Sequence, residues 1–238
     1  MLKDLPFYIP LLFILTTLVT FLFFIAAVKK NNLGKTILTI SLIIITWLLL
    51  HAVLSLQKFY LVTDTMPPRF VVLVVPSFLL IIILFVTQSG RRFIDSISPK
   101  ILTQLHVVRV FVEIILFWLC IYKFIPKLMT FEGRNFDILA GLTAPFIAYY
   151  GFVKHKLGNT FILVWNIIAL ILLLNIVVNA ILSAPFRFQQ FAFDQPNVAI
   201  LYFPFVWLPC FIVPVVLFSH LALIRSSLKM ESQNNYGK

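Results

Sequence analysis

Acidic side chains are scarce in this sequence. Asp and Glu together number 8 in 238 residues, and charged residues of all kinds make up only 11 %. A soluble domain carries roughly 25 % charged residues, so an ordinary globular enzyme or binding module is excluded. Cysteine is almost absent: the 2 present, Cys120 and Cys210, lie inside apolar runs and far from any CxxC spacing. That excludes a disulfide framework and a cysteine-based zinc site. Glycine is scarce at 7 residues, and no glycine-rich phosphate loop, HExxH or GxSxG accompanies the few acids, so no hydrolase or nucleotide-binding motif can be assembled. There is no stretch polar enough, or long enough, to fold as a separate aqueous domain.

What is present is hydrocarbon. Hydrophobic residues account for 61 % of the chain and the mean hydropathy is +1.05. A membrane-crossing helix takes about 20 apolar residues, and the pattern predicts an all-α polytopic membrane protein forming a single integral membrane domain, residues 1–238. Seven transmembrane helices are expected, at approximately 6–28, 37–56, 70–87, 103–122, 136–153, 160–182 and 198–224. No alternating barrel pattern appears, and in lipid only helices and closed barrels satisfy their own backbone. The first apolar run, Pro6–Val28, exceeds the 7–15 residues of a signal-peptide core, and its basic flank follows it, so it reads as a span.

The net charge of +11 raises the question of nucleic acid. The basic residues fall between the apolar runs and form no single patch, so no nucleic-acid partner is implied and the lipid bilayer is the expected environment. One set of connections carries Lys29, Lys30, Lys35, Arg91, Arg92, Lys100, Lys154, Lys156, Arg225, Lys229 and Lys238. The opposite set carries Lys3, Lys58, Arg69, Lys123, Lys127, Arg134 and Arg187. By the positive-inside rule the expected orientation is N-terminus outside and C-terminus cytoplasmic.

The fourth span, TQLHVVRVFVEIILFWLCIYK, holds the residues that fit lipid worst: His106, Arg109 and Glu113. At i, i+3 and i+7 they form one polar stripe on a helix. A charge at the bilayer centre costs about 2.5–3.5 kcal/mol on insertion scales, so the stripe needs protein or water around it. Two readings are open. Glu113 is a titrating or ion-coupling group with Arg109 its neighbour, or Arg109 and Glu113 form a structural pair at i, i+4. Asp137 and three amides, Asn166, Asn175 and Asn179, are expected to turn inward with them. Pro145 and Pro209 fall near the depth of Glu113, and interrupted helices with polar groups at one depth are what a midplane solute or ion site requires.

Two further sets of residues invite a site. His106 and His220 share a depth, so they form the one conceivable bis-histidine haem pair; no other metal set is present and no cofactor is expected. On the outward side Asp64, Arg69, Glu132, Arg134, Arg187 and Asp194 accompany Phe186, Phe188, Phe191 and Phe193. They read either as a mouth or as an aromatic belt with snorkelling basic residues. A retinal protein is excluded, because the last span contains no lysine for the chromophore.

The run TFEGRNFDILAGLTAP, residues 130–145, resembles stretches of uncharacterised bacterial multi-pass membrane proteins. The resemblance implies a bacterial inner membrane and carries no activity. From the residues themselves, the expected function is a small-solute or ion transporter with a midplane carboxylate. The alternatives are a non-transporting sensor, assembly factor or partner subunit, and a haem-bearing redox protein. No enzymatic activity is expected.

Overall fold

A computed structural model describes residues 2, 5–29 and 34–236, with side chains through Met230. Lys3, Lys30 and Lys238, which enter the orientation count, lie outside the described residues. Among the described residues the regular structure is all helical, without strands. The helices are α1 (Tyr8–Lys29), α2 (Gly34–Leu56), α3 (Phe70–Val86), α4 (Gln88–Ser96), α5 (Pro99–Leu105), α6 (Val108–Ile121), α7 (Ile138–Phe152), α8 (Asn159–Leu182) and α9 (Val213–Tyr236). A π-helical turn, Leu208–Ile212, leads directly into α9.

Five units are long and apolar enough to cross a membrane: α1, α2, the α5–α6 pair, α8, and the π turn with α9. The third and fifth expected spans form shorter helices. α3 meets α4 at 93° and passes the same test only when the two are counted together, while α7 has 15 residues. The last span also begins later than its apolar run suggests. Residues 198–207 form short turns, with Ala199, Ile200, Leu201, Phe205 and Val206 buried, and regular helix starts at Leu208.

The bend at Thr87 has a local cause. The Thr87 hydroxyl donates to the Ile83 carbonyl at 2.8 Å and accepts from Gly90 N–H at 3.2 Å. It thereby closes the end of α3 and caps α4. At Gly90 a Cβ would lie 2.3 Å from the Leu84 carbonyl, so only glycine permits the chain to fold back this tightly. α4 is fastened at both ends. Arg91 donates to the Val86 carbonyl at 2.8 Å, and Asp95 accepts from Arg225 and Lys229 of α9 at 2.9 Å.

The α9 span is the centre of the bundle, with 61 % of its apolar window buried, followed by the α5–α6 unit at 50 %. α2 lies at the margin, with 11 % buried. Proline explains how α2 and α3 are nevertheless held. Pro214 has no N–H to give the carbonyl four residues back, that of Cys210. That carbonyl instead accepts from Trp47 Nε1 of α2 at 3.0 Å and from Ser77 Oγ of α3 at 2.9 Å. The backbone group left over by one proline thus ties down two neighbouring helices.

Candidate functional site

The fourth span is not a continuous helix. Between α5 and α6 the N–H groups of His106, Val107, Arg109 and Val110 reach carbonyls three residues back, at 3.1–3.3 Å. The backbone thus tightens to 3₁₀ geometry around His106, over residues 103–110. His106 closes α5, and Arg109 and Glu113 project from α6.

Arg109 does not turn to Glu113. Its guanidinium forms a two-pronged pair with Asp137, through Nε to Oδ2 at 2.6 Å and through Nη2 to Oδ1. Nη2 also donates to the Ala169 carbonyl of α8 at 3.1 Å, and Nη1 to His220 Nε2 at 2.9 Å. Arg109, Asp137 and His220 are all buried. The i, i+4 pair, one of the two readings of the stripe, is therefore replaced by a contact between residues 28 positions apart. Gly141, one turn past Asp137, makes that approach possible: a Cβ there would lie 2.9 Å from the Val110 backbone nitrogen.

The hydrogen bonds fix the histidine tautomer. Arginine only donates, so His220 Nε2 is an acceptor and Nδ1 carries the hydrogen. Nδ1 lies 3.0 Å from Asn166 Oδ1, which accepts it, while Asn166 Nδ2 donates to the Ile162 carbonyl at 2.9 Å. The imidazole is neutral in this arrangement. His106 stacks on it with centroids 3.9 Å apart and planes at 19°, edge-on to Trp165 at 5.8 Å. His106 is fully buried, and neither of its ring nitrogens has a hydrogen-bond partner.

Glu113 belongs to a second branch of the cluster. Its Oε1 accepts from Asn135 Nδ2 at 2.5 Å, and the same amide nitrogen donates to the Met129 carbonyl at 3.0 Å. Asn135 Oδ1 accepts from the Asp137 backbone N–H at 3.0 Å. One buried asparagine thus bridges the two acids, using an Asx turn to present both its ends. Glu113 is buried, and its Oε2 has no partner. A cavity of about 90 Å³ lies against Arg109, Glu113 and Asp137, its remaining wall built from side chains such as Phe70, Leu173, Ile176 and Leu208. A water needs roughly 10–15 Å³ of such space, and a dry 150 Å³ cavity takes benzene. This one suits a few waters or a very small solute.

The other residues singled out from the sequence lie elsewhere. Asn179 is buried, but Asn175 is exposed; Asn175 donates to the Arg134 carbonyl at 2.9 Å and Asn179 to the Asn175 carbonyl at 2.9 Å. Neither reaches the cluster. On the outward set, Asp64, Glu132, Arg134, Arg187 and Asp194 are exposed. Glu132 pairs with Lys127 at 3.5 Å, and Arg69 lies 4.7 Å above the Phe59 ring. Among the described residues no group of three or more His, Cys, Asp or Glu converges as a metal site would. The His106–His220 pair does not fit a haem. Its rings stack face to face with no room for a porphyrin between them, and His220 engages both nitrogens with protein.

Sequence reasoning passed over Asn135, and took His220 for a ligand candidate and not for the acceptor of Arg109. The Asn135-Phe-Asp137 spacing ahead of an apolar run is the signal available for the first, being a helix-start pattern. Nothing local marks the second.

Fold and site together define a class: an all-helical protein with several membrane-length apolar helices around a buried, hydrogen-bonded ionisable cluster. The chain belongs to the family described as a domain of unknown function, DUF8737, whose profile matches residues 66–227. That stretch contains every member of the cluster and leaves out α1 and α2. No curated protein and no solved structure matches the chain.

Proposed function

We propose that this protein is a seven-span carrier of a small solute or ion in a bacterial inner membrane, with Glu113 as its coupling carboxylate. The observation that supports the reading is a cavity with Glu113 in its wall, together with a Glu113 Oε2 that has no hydrogen-bond partner. Arg109 and Asp137 neutralise each other. With Glu113 ionised, the buried cluster holds one negative charge in excess, and an uncompensated buried charge is strongly unfavourable. A proton or a small cation at Oε2 completes it. In the seven-span arrangement α3 and α7 cross as short helices. At 1.5 Å per residue α7 covers about 22 Å against a hydrocarbon thickness near 30 Å, which requires local thinning of the bilayer or help from flanking turns. The basic connections then face the cytoplasm with the C-terminus, and the N-terminus is outside.

Reconstitution into liposomes with an internal pH dye tests the role of Glu113. Under an imposed membrane potential the wild type is expected to carry protons, and Glu113→Gln to lose that flux while retaining its fold. Equal flux in both proteins would remove Glu113 from the mechanism. A second reading, a sensor or partner subunit recognising through its outward surface, draws on the exposed Phe193 and Phe188 of the 184–197 loop. It is favoured if the wild type carries no flux and substitution of Phe193 breaks an assembly.

A further inference from the structure

α2 and α3 both lean on the π turn, and α3 also on α9, without closing on each other. Between them runs a cleft of about 610 Å³, lined by Leu42, Trp47 and Leu50 on one side and Ser77, Leu80 and Leu84 on the other, with Phe211 and Phe218 among the floor residues. Leu42, Leu50 and Leu80 are exposed, so the cleft opens sideways, in the direction a bilayer would lie. Of its three polar side chains, Trp47 Nε1 and Ser77 Oγ both point to the Cys210 carbonyl and are satisfied there, which leaves Thr46. An occupant meets hydrocarbon along the length of the cleft.

The size decides what that occupant is. A helix with its side chains is about 10 Å wide and rises 5.4 Å per turn, so 610 Å³ holds little more than one turn. A membrane-crossing helix would rest on the cleft with one face only, whereas the volume itself falls in the 300–1,000 Å³ range of ligand clefts. One end of the cleft is basic. Leu84 lies in the last turn of α3, where the Arg91 guanidinium reaches the Val86 and Phe85 carbonyls through Nη1 alone. Because α2 and α3 run in opposite directions, the start of α2 lies at that same end. Lys35 stands there, exposed and about 10 Å along the helix from Leu42. Among the described residues neither Lys35 nor Arg91 is in an ion pair.

We propose that the α2–α3 cleft seats one acyl chain of an anionic phospholipid, with the phosphate held by Arg91 and Lys35 where the cleft meets the membrane surface. The recognition combines an apolar slot for the tail with two cations for the head. It is independent of the Glu113 cluster, which lies on the other side of the π turn and α9.

Native mass spectrometry on the purified full chain, in detergent carrying equimolar phosphatidylglycerol and phosphatidylcholine, tests it directly. The wild type is expected to retain one lipid and to prefer phosphatidylglycerol. Leu80→Trp, which fills the slot, should lose both lipids. Lys35→Gln with Arg91→Gln should still hold a lipid but lose the head-group preference, by about fivefold for each cation near the surface. Should Leu80→Trp fail to fold, as judged by circular dichroism, Leu50→Trp from the opposite wall carries the same reading. Undiminished lipid retention in the slot-filling variant overturns the proposal. So does a wild type that holds the two lipids equally, or one that holds a second copy of the chain in place of lipid.

Discussion

Asp137→Asn puts the buried pair to its most direct test. The substitution preserves shape and removes the negative charge facing Arg109, which is 2 % exposed. Two charge-assisted hydrogen bonds, from Nε and Nη2, are weakened or lost. Each is worth about 1.5–3 kcal/mol, which gives roughly 3–6 kcal/mol. That overlaps the 3–5 kcal/mol observed on breaking buried ion pairs. The single mutant should therefore unfold far more readily. Removing both charges together, as Arg109→Met with Asp137→Leu, should recover most of the loss, because neither member of the pair is then left buried facing an uncharged partner. The same cycle with Glu113→Gln and Arg109→Met should show much weaker coupling, since those two side chains make no ion pair within 4 Å. The assay is reversible unfolding in mixed detergent micelles, analysed as two double-mutant cycles. An Asp137→Asn variant within about 1 kcal/mol of wild type, or an Arg109–Glu113 coupling exceeding the Arg109–Asp137 coupling, would refute the reasoning.

Other consequences can be checked with the same preparation. Gly141→Ala should destabilise by about 1–3 kcal/mol, the usual cost of overpacking, because its Cβ would press on the Val110 backbone at 2.9 Å; the variant should also loosen the Arg109–Asp137 pair. A Gly141→Ala protein as stable as wild type would mean α6 and α7 have room to separate. At the α4 surface, the hydrogen bond from Arg225 and the Lys229 charge hold the Asp95 carboxyl below its ordinary 3.8. The contact therefore stabilises fully above that value and is lost as pH falls below it, through the lowered folded value. Asp95→Asn should cost up to about 1 kcal/mol at pH 7, as partly exposed pairs do, with the deficit vanishing in acid. A deficit independent of pH would assign the effect to packing.

How much of this was legible in the sequence depends on range. Charges inside apolar runs are visible without a structure, because their desolvation cost does not depend on which neighbour relieves it, and Arg109, Glu113 and Asp137 stand out on that ground. Their pairing is another matter. The contact readable from sequence is i, i+4, yet Arg109 bonds to Asp137, 28 positions on, because Gly141 lets α7 close against α6. Asn175 and Asn179 show the same limit. They share a face of α8, but the rotation of that helix leaves Asn175 exposed. The apolar runs located the helices and overestimated two of them, the fifth and the start of the seventh. Thr87 and Gly90 turn the chain through 93° at the end of the third, and the Asn135-Phe-Asp137 turn together with the Tyr149 carbonyl cap at Val153 keeps the fifth short.

The Cys210 carbonyl has a consequence for the order in which the chain assembles. Its donors, Trp47 and Ser77, precede it by 163 and 133 residues. At 5–20 residues per second of synthesis, roughly 7–30 s separate their appearance from that of their acceptor. Through that interval α2 and α3 exist without the contact that later fixes them. The final helix is thus the one that locks the early ones, and a chain truncated before Cys210 should leave the α2–α3 hairpin loose.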